Sequence, residues 1–144
     1  MEDQVAVEHL RAPQIARPAM ATVQFLGLYD GHGGAACAHY AAEHLHARLA
    51  SSSGFRSGKV GAGLVEAFAE CEASFLAESE SASGSCAVVA VLGGGRLHVA
   101  HIGDSRAVLC SGEKAEAVAL TADHKPDSPS EKARIEGIGG MVVM

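Results

Sequence analysis

Five consecutive residues, Asp30-Gly31-His32-Gly33-Gly34, combine a carboxylate and an imidazole with three glycines. Asp30 offers charged oxygen for a hard divalent cation, and Gly31, which lacks a side chain, lets a backbone carbonyl approach the same ion. His32 is then free for proton transfer. Gly33 and Gly34 can take backbone angles closed to other residues, and a helix that begins there turns unpaired N–H groups toward the same space, which suits phosphate. Taken alone, the pentamer is equally consistent with an incidental glycine-rich turn between a strand and a helix.

The chemistry that these residues could serve is hydrolysis of a phosphate ester at two metal ions. If Asp30 bridges two ions roughly 3.5 to 4 Å apart, a water between them loses a proton at neutral pH and becomes the nucleophile. A histidine that protonates the departing alkoxide would add about 10²- to 10⁴-fold, and His32 lies two residues from that carboxylate. Asp104 offers another carboxylate in Gly-Asp-Ser, a tripeptide that is most often a plain turn.

Hydrophobic periodicity predicts the elements that must position these residues. Alternation of apolar and polar residues marks strands, and apolar residues at every fourth position mark helices. Segments 11–20 and 51–59, rich in turn-forming residues, are predicted to be loops. In chain order we predict strands at 4–9 and 23–29, helices at 34–49 and 60–75, strands at 85–92, 96–102 and 106–110, a short strand at 118–120, a helix at 128–138 and the start of a strand at 141–144.

Two local patterns make the later part of this prediction specific. The three glycines at 93–95 lie between two strand patterns, which predicts a hairpin, and together with the strand after Asp104 we expect an antiparallel meander. Ser128, Pro129 and Glu131 have the spacing of a capping box at the start of the last helix.

Composition limits the classes of function. A chain of 144 residues with 48% hydrophobic and 19% charged residues can bury a core as one domain. Its formal charge of −6 argues against nucleic acid or anionic membranes as partners, since both attract clustered lysine and arginine.

The cysteines and the termini indicate the compartment. Cys37, Cys71, Cys86 and Cys110 are widely spaced, so we predict buried free thiols in a reducing compartment rather than a disulfide framework or a zinc site. The acidic start lacks the pattern of a secretory signal, and the longest apolar run, 86–92, is too short to span a bilayer. We therefore expect a cytoplasmic or nuclear protein.

Several separated segments together resemble one family, the metal-dependent protein serine/threonine phosphatases of the PP2C (PPM) type, and in particular its plant members. They follow the order of the family's motifs, which makes the resemblance much more specific than the pentamer alone. The matching segments are Met1-Glu2-Asp3, Tyr29 to Gly34, Gly84-Ser85 with Cys86 to Val89, Val99 to Leu109 around Gly103-Asp104-Ser105-Arg106, Asp123-His124-Lys125-Pro126, and Arg134-Ile135-Glu136 with Gly139-Gly140.

The resemblance implies an α+β fold, an α-β-β-α sandwich of two antiparallel sheets flanked by helices. It implies phosphoprotein substrates and two catalytic Mg²⁺ or Mn²⁺ ions, with a third held more weakly. Without it, the acidic residues near the start would be interpreted as a solvated terminus. The implied roles are Asp30 bridging the two ions, Glu2 and the Gly31 carbonyl on one of them, Asp3 in the outer coordination sphere, His32 as general acid and Asp104 at the third ion.

The resemblance covers about the first half of the family's catalytic domain, so residues 1–144 are expected to form a partial domain. The family's phosphate-binding arginine would precede Met1, and two metal-binding aspartates would follow Met144. Cys86 stands where the family usually has threonine, which we interpret as a packing change. With these groups missing, we expect this chain alone to be marginally stable, with apolar faces uncovered, and to be a weak or inactive catalyst.

An alternative is a non-catalytic phosphatase-like module that binds a partner or a phosphopeptide. A structural domain with an incidental metal-like turn is the third hypothesis, and the ordered set of motifs disfavours it. Sequence alone does not define the substrate, the regulatory partners or the oligomeric state.

Overall fold

The structure is a computed structural model that describes residues 2–12, 22–112 and 116–143. Most of the loop predicted at 11–20 and the last residue of the chain lie outside this description. The described elements are β1 (Gln4–Arg11), β2 (Thr22–His32), α1 (Ala36–Ser51), α2 (Ser53–Arg56), α3 (Val60–Glu78), β3 (Gly84–Gly93), β4 (Arg96–Ile102), β5 (Val108–Ser111), β6 (Glu116–Ala119) and α4 (Pro129–Gly137).

The strands form two antiparallel sheets, so the fold is α+β, as the family resemblance implies. One sheet has four strands in the order β1-β2-β3-β4, and β5 and β6 form a second sheet of two strands. β2 is the long inner strand of the larger sheet, where Tyr29 lies opposite Gln4 of β1 and Ala87 of β3. Its backbone is therefore paired on both sides as far as Tyr29, and its last three residues, Asp30 to His32, pair with β3 alone.

The core lies between the larger sheet and the helices α1 and α3. Val23, Phe25 and Tyr29 of β2 are buried at alternate positions, because side chains of a strand point alternately to its two faces. α1 buries Leu45 and Leu49 at four-residue spacing against them. Burying a side chain such as Phe25 contributes roughly 1.5 to 3 kcal/mol. None of the described helices combines the length and apolar composition required to cross a membrane.

The other face of the larger sheet is exposed and apolar. Val5 lies opposite Leu28, and Val7 lies opposite Leu26, and all four side chains are exposed. The alternation that buries Tyr29 places these residues, and Asp30 after them, on this second face. The uncovered apolar face expected from the sequence is thus present in the described part of the chain.

The predicted meander is wrong in its third strand. β3 and β4 form the predicted hairpin, with Gly93 opposite Arg96. After Asp104, however, the chain does not return along β4. β5 pairs instead with β6 in the separate sheet, with Val108 opposite Ala119.

Contacts between distant residues explain this departure. Nε and Nη2 of Arg106 donate hydrogen bonds of 2.9 and 2.8 Å to the two carboxylate oxygens of Asp123. The backbone N–H of Ala107 donates to Oγ1 of Thr121 at 3.0 Å. Because these contacts hold residues 105–107 in an irregular conformation, the next strand starts away from β4.

The predicted loop at 51–59 contains the short helix α2. Oγ of Ser52 accepts a hydrogen bond of 3.2 Å from the N–H of Phe55, and the Phe55 side chain is fully buried. Gly54 lies so close to Gly63 of α3 that a Cβ on Gly54 would collide with the Gly63 backbone. This helix depends on a close approach of two backbones, which no local pattern reveals.

The last helix starts at the predicted place without the predicted capping box. Pro129 occupies the first turn of α4, but the Ser128 side chain makes no capping hydrogen bond. The Glu131 carboxylate instead accepts hydrogen bonds of 2.7 to 3.0 Å from Arg134, one helical turn later. The strand predicted at 141–144 is also wrong for the residues described, since 141–143 pair with no strand described here.

We predict that Tyr29→Phe stabilises the fold. The Tyr29 hydroxyl is buried without a hydrogen-bond partner among the described residues, and an unsatisfied buried hydroxyl costs about 1 to 3 kcal/mol. Its removal should raise the free energy of unfolding at pH 7 by about 1 kcal/mol, measured by urea denaturation. Tyr40→Phe is the control, because the Tyr40 hydroxyl donates to Glu78 at 3.0 Å and its removal should not stabilise.

Tyr29→Phe should also change how much the free energy of unfolding falls at alkaline pH. Burial raises the pKa of Tyr29, so the folded state disfavours the phenolate. In the unfolded state this tyrosine ionises above its pKa of about 10, so the unfolded state gains free energy of ionisation that the folded state lacks, and wild type loses stability as the pH rises above that value. Tyr29→Phe should therefore lose less stability than wild type above about pH 10. Parallel losses in both proteins would contradict this account.

Candidate functional site

The end of β2 carries the first three residues of the glycine-rich pentamer. The strand continues through Asp30 and Gly31 to His32, where a turn was expected from the sequence. The turn begins only at Gly33 and Gly34, whose φ angles of 67° and 122° are readily adopted by glycine alone. The carboxylate and the imidazole are therefore fixed by strand pairing rather than by a loop.

Glu2 passes directly against Gly31. A Cβ on Gly31 would lie 2.7 Å from the backbone oxygen of Glu2 and 3.2 Å from Cβ of Ala38. Glycine is required here because two backbones meet with a helix behind them. This contact brings Glu2, which the resemblance assigns to a metal ion, beside Asp30 and Gly31.

His32 lies on the same strand end and packs against β3. It pairs with Gly84, and a Cβ on Gly84 would collide with the imidazole ring. The imidazole itself is exposed. Strand pairing and the contact with Gly84 therefore set the position of the His32 ring, and the ring stays accessible to a bound molecule.

One backbone N–H group at the start of α1 already has a hydrogen-bond partner. The glycine pair and the helix after it suggested free N–H groups for an anion, but the N–H of Cys37 donates a hydrogen bond of 3.1 Å to Oγ of buried Ser83. One donor of the first helical turn is thus already used within the described residues. Only the other N–H groups of the first turn of α1 are available to bind phosphate.

Cys86 connects the two separated carboxylates of the site. It lies directly opposite Asp30 in the pairing of β2 with β3. Its thiol donates a hydrogen bond to Oδ1 of Asp104, with 3.4 Å between sulfur and oxygen. We interpreted Cys86 from the sequence as a packing change, yet the structure gives it a specific polar contact. The register of β3 against β4, in which Ala87 pairs with Ile102 and Cys86 therefore lies next to Gly103, is the signal that would have revealed it.

The neighbouring Ser85 supports the backbone of Asp30. Its hydroxyl lies 3.2 Å from the Asp30 carbonyl oxygen and 2.7 Å from the carbonyl oxygen of Cys86. Both contacts lie at the junction of β2 and β3. They reinforce the strand end that carries the carboxylate.

The turn that carries Asp104 is held by a second set of contacts. Gly103 has a φ of 76°, and its carbonyl accepts a hydrogen bond of 2.9 Å from the N–H of His124. The rings of His101 and His124 stack with centroids 4.3 Å apart. Beside them, the Arg106 guanidinium lowers the pKa of the Asp123 carboxyl below its usual value. The predicted motif around Asp123 thus fixes the Asp104 turn.

The donor atoms suit Mg²⁺ or Mn²⁺, although they do not form a complete cage. Glu2 contacts Gly31, Asp30 pairs with Cys86, and Asp104 accepts a hydrogen bond from Cys86. These three acidic residues therefore lie at one end of the larger sheet, and Asp3 next to Glu2 is exposed. Among the residues that the structure describes, no three histidine, cysteine, aspartate or glutamate side chains are close enough together to hold one ion. Mg²⁺ commonly keeps several waters and binds through one or two carboxylates, so this arrangement fits such an ion.

Comparison with known proteins identifies relatives of the whole chain. The family model described as "Protein phosphatase 2C" matches residues 1–144. "Probable protein phosphatase 2C 59" of Arabidopsis thaliana is 41% identical over 124 residues, which cover 84% of this chain and 39% of that relative. "Probable protein phosphatase 2C 68" of Oryza sativa is 38% identical over 168 residues, covering 99% of this chain and 46% of that relative. The chain thus spans less than half the length of these relatives.

Solved structures show the same fold. The crystal structure of serine-threonine phosphatase 2C from Toxoplasma gondii superposes with a TM-score of 0.75 at 22% identity, covering 95% of this chain and 55% of that one. The structure of a Caenorhabditis elegans sex determining protein gives a TM-score of 0.68 at 21% identity, covering 98% and 39%. At this identity the similarity supports the fold alone.

We predict that Gly31→Ala destabilises the site and that Gly61→Ala does not. The added methyl on Gly31 would press on the Glu2 backbone and force β1 away from β2, at a cost of about 1 to 3 kcal/mol. Gly61 in α3 has open space around its Cα, so alanine there should stabilise by about 0.5 to 1 kcal/mol. Urea denaturation of both variants measures the difference, and equal effects would contradict the close approach of Glu2.

Proposed function

The chain belongs to the protein phosphatase 2C family, and we propose that it carries the metal-binding and proton-donating part of a protein serine/threonine phosphatase. The observation that supports this most directly is the contact of Glu2 with Gly31, beside Asp30 and His32. Two strands thereby bring the groups that the chemistry requires to one end of one sheet. The substrates would be proteins that carry phosphoserine or phosphothreonine.

In this proposal the described residues hold two Mg²⁺ or Mn²⁺ ions. Asp30 would bridge them, Glu2 and the Gly31 carbonyl would bind one of them, Asp3 would act through water, and Asp104 would hold a third, weaker ion. Bound ions supply positive charge at the phosphate and lower the pKa of water. The exposed Asp30 carboxylate, fixed by pairing with Cys86, is free to face such ions.

His32 would act as general acid. The alkoxide of serine or threonine is a strongly basic leaving group, so protonation as it departs lowers the barrier. The imidazole lies in the paired end of β2 and packs on Gly84, which limits its movement while leaving it exposed. Such a side chain can donate a proton at a defined position next to the carboxylates.

The alternative is a phosphatase-like module that binds phosphoproteins without hydrolysing them. The observation in its favour is that no three candidate ligands among the described residues lie within reach of one ion. We therefore propose that the chain alone hydrolyses phosphothreonine weakly or not at all. Additional family sequence that supplies further carboxylates should then complete the enzyme.

We predict that Mn²⁺-dependent hydrolysis of a phosphothreonine peptide is weak in the 144-residue chain and strong in a version extended with the second half of a plant relative. In the extended version, Asp30→Asn should reduce kcat/KM at least about 100-fold, since one charged ligand is lost. Phosphate release measures both. Full activity of the Asn variant would contradict the role of Asp30, and a fully inactive extended protein would favour the binding module.

The role of His32 predicts a dependence on the leaving group. In the extended protein, His32→Asn should reduce kcat about 10²-fold or more on a phosphothreonine peptide. The effect on p-nitrophenyl phosphate should be much smaller, because nitrophenolate leaves without a proton. Equal losses on the two substrates would show that His32 acts in some way other than as the acid.

A further inference from the structure

We propose that Cys86 is a positioning residue whose thiol holds the Asp104 carboxylate toward Asp30. This inference rests on the proposed function, since it assigns Asp104 to the metal-binding end of the sheet. It concerns Cys86, the position at which the family resemblance leads us to expect threonine. Cys86 would not contact the substrate and would act only through Asp104.

The first observation is the place of Cys86 in the sheet. Directly paired residues on adjacent antiparallel strands have Cβ atoms about 4.5 to 5.5 Å apart on the same face. Cys86 is paired with Asp30, so its side chain stands beside the Asp30 carboxylate on the exposed face. A side chain at this position can therefore lie close to both Asp30 and Asp104.

The second observation is the hydrogen bond itself. The Cys86 sulfur lies 3.4 Å from Oδ1 of Asp104. An ionised carboxylate only accepts hydrogen bonds, so the thiol must be the donor. The bond spans from β3 to the turn after β4, and it therefore couples the Asp104 side chain to the strand that faces Asp30.

The third observation is the space that the Asp104 turn leaves for sulfur. Gly103 has a positive φ of 76°, and a Cβ on it would collide with the Cys86 sulfur. The absence of a side chain at residue 103 lets the turn fold down onto Cys86. This close approach brings the Asp104 carboxylate within reach of the thiol.

A fixed carboxylate binds a metal ion better than a mobile one. An exposed aspartate samples several rotamers, and selecting one of them for metal binding costs conformational entropy. A hydrogen bond to one oxygen fixes the carboxylate and leaves its other lone pairs for the ion. The thiol is a weak donor, so a hydroxyl in its place should hold Asp104 at least as well.

The test uses two variants of the 144-residue chain that differ only in the donor. Cys86→Thr keeps a donor, whereas Cys86→Val has nearly the same shape without one. Mn²⁺ affinity is measured by isothermal titration calorimetry, and thermal unfolding is recorded alongside. We expect Cys86→Val to weaken Mn²⁺ binding at the weaker site, that of Asp104, about tenfold. Cys86→Thr should leave binding at that site equal to or tighter than in wild type, and both variants should have similar unfolding midpoints.

A second readout observes the hydrogen bond directly, without metal. The S–H stretching band of Cys86 is assigned by subtracting the infrared spectrum of Cys86→Val. In wild type this band should lie at lower frequency than that of a free thiol, and Asp104→Ala should move it upward. An unchanged band in Asp104→Ala would overturn the proposed contact.

The outcomes separate this proposal from the proposed function. If wild type binds Mn²⁺ and the Thr and Val variants bind it equally well, Cys86 is a packing residue and the positioning role is overturned while the metal site stands. If wild type and the Thr and Val variants all fail to bind Mn²⁺, the proposed metal-binding function of this chain is contradicted. The positioning role of Cys86, which depends on that function, is then contradicted as well.

Discussion

The pairing of β2 with strands on both sides is the constraint on which the site depends. Tyr29 and Asp30 are adjacent, and strand alternation places the first in the core and the second on the exposed face. A slip by one residue would bury the carboxylate and expose the aromatic ring. The tight packing of Phe25 and Tyr29 against the helices therefore fixes where the Asp30 carboxylate points.

Close backbone contacts then bring the other groups to this strand end. Gly31 lets Glu2 approach, Gly84 accommodates the ring of His32, and Gly103 lets the Asp104 turn reach Cys86. In each case a neighbouring group leaves no room for a side chain, and at Gly103 the positive φ also favours glycine. The carboxylates gathered in this way remain exposed, which suits ions that keep part of their water.

Much of this could be predicted from the sequence, because it follows from local periodicity. Alternation in β2, four-residue spacing in α1 and the glycines between β3 and β4 are sufficient to locate these elements. The pairing of β5 with β6 could not be predicted, since it depends on Arg106 meeting Asp123 17 residues away. The capping box is absent for a local reason, because Arg134, three residues further along the helix, binds the Glu131 carboxylate. Cys86 was missed because its role emerges only from the register of two strands.

The end of β2 and the residues just before β1 together are proposed to form a divalent metal site at Asp30, Gly31 and Glu2. Its most direct test is an anomalous difference map from crystals of the chain grown with Mn²⁺. The account predicts a peak in contact with the Asp30 carboxylate and the Gly31 carbonyl oxygen, with Glu2 on the same ion. Well-ordered density for Asp30 with no peak beside it at saturating Mn²⁺ would contradict the claim.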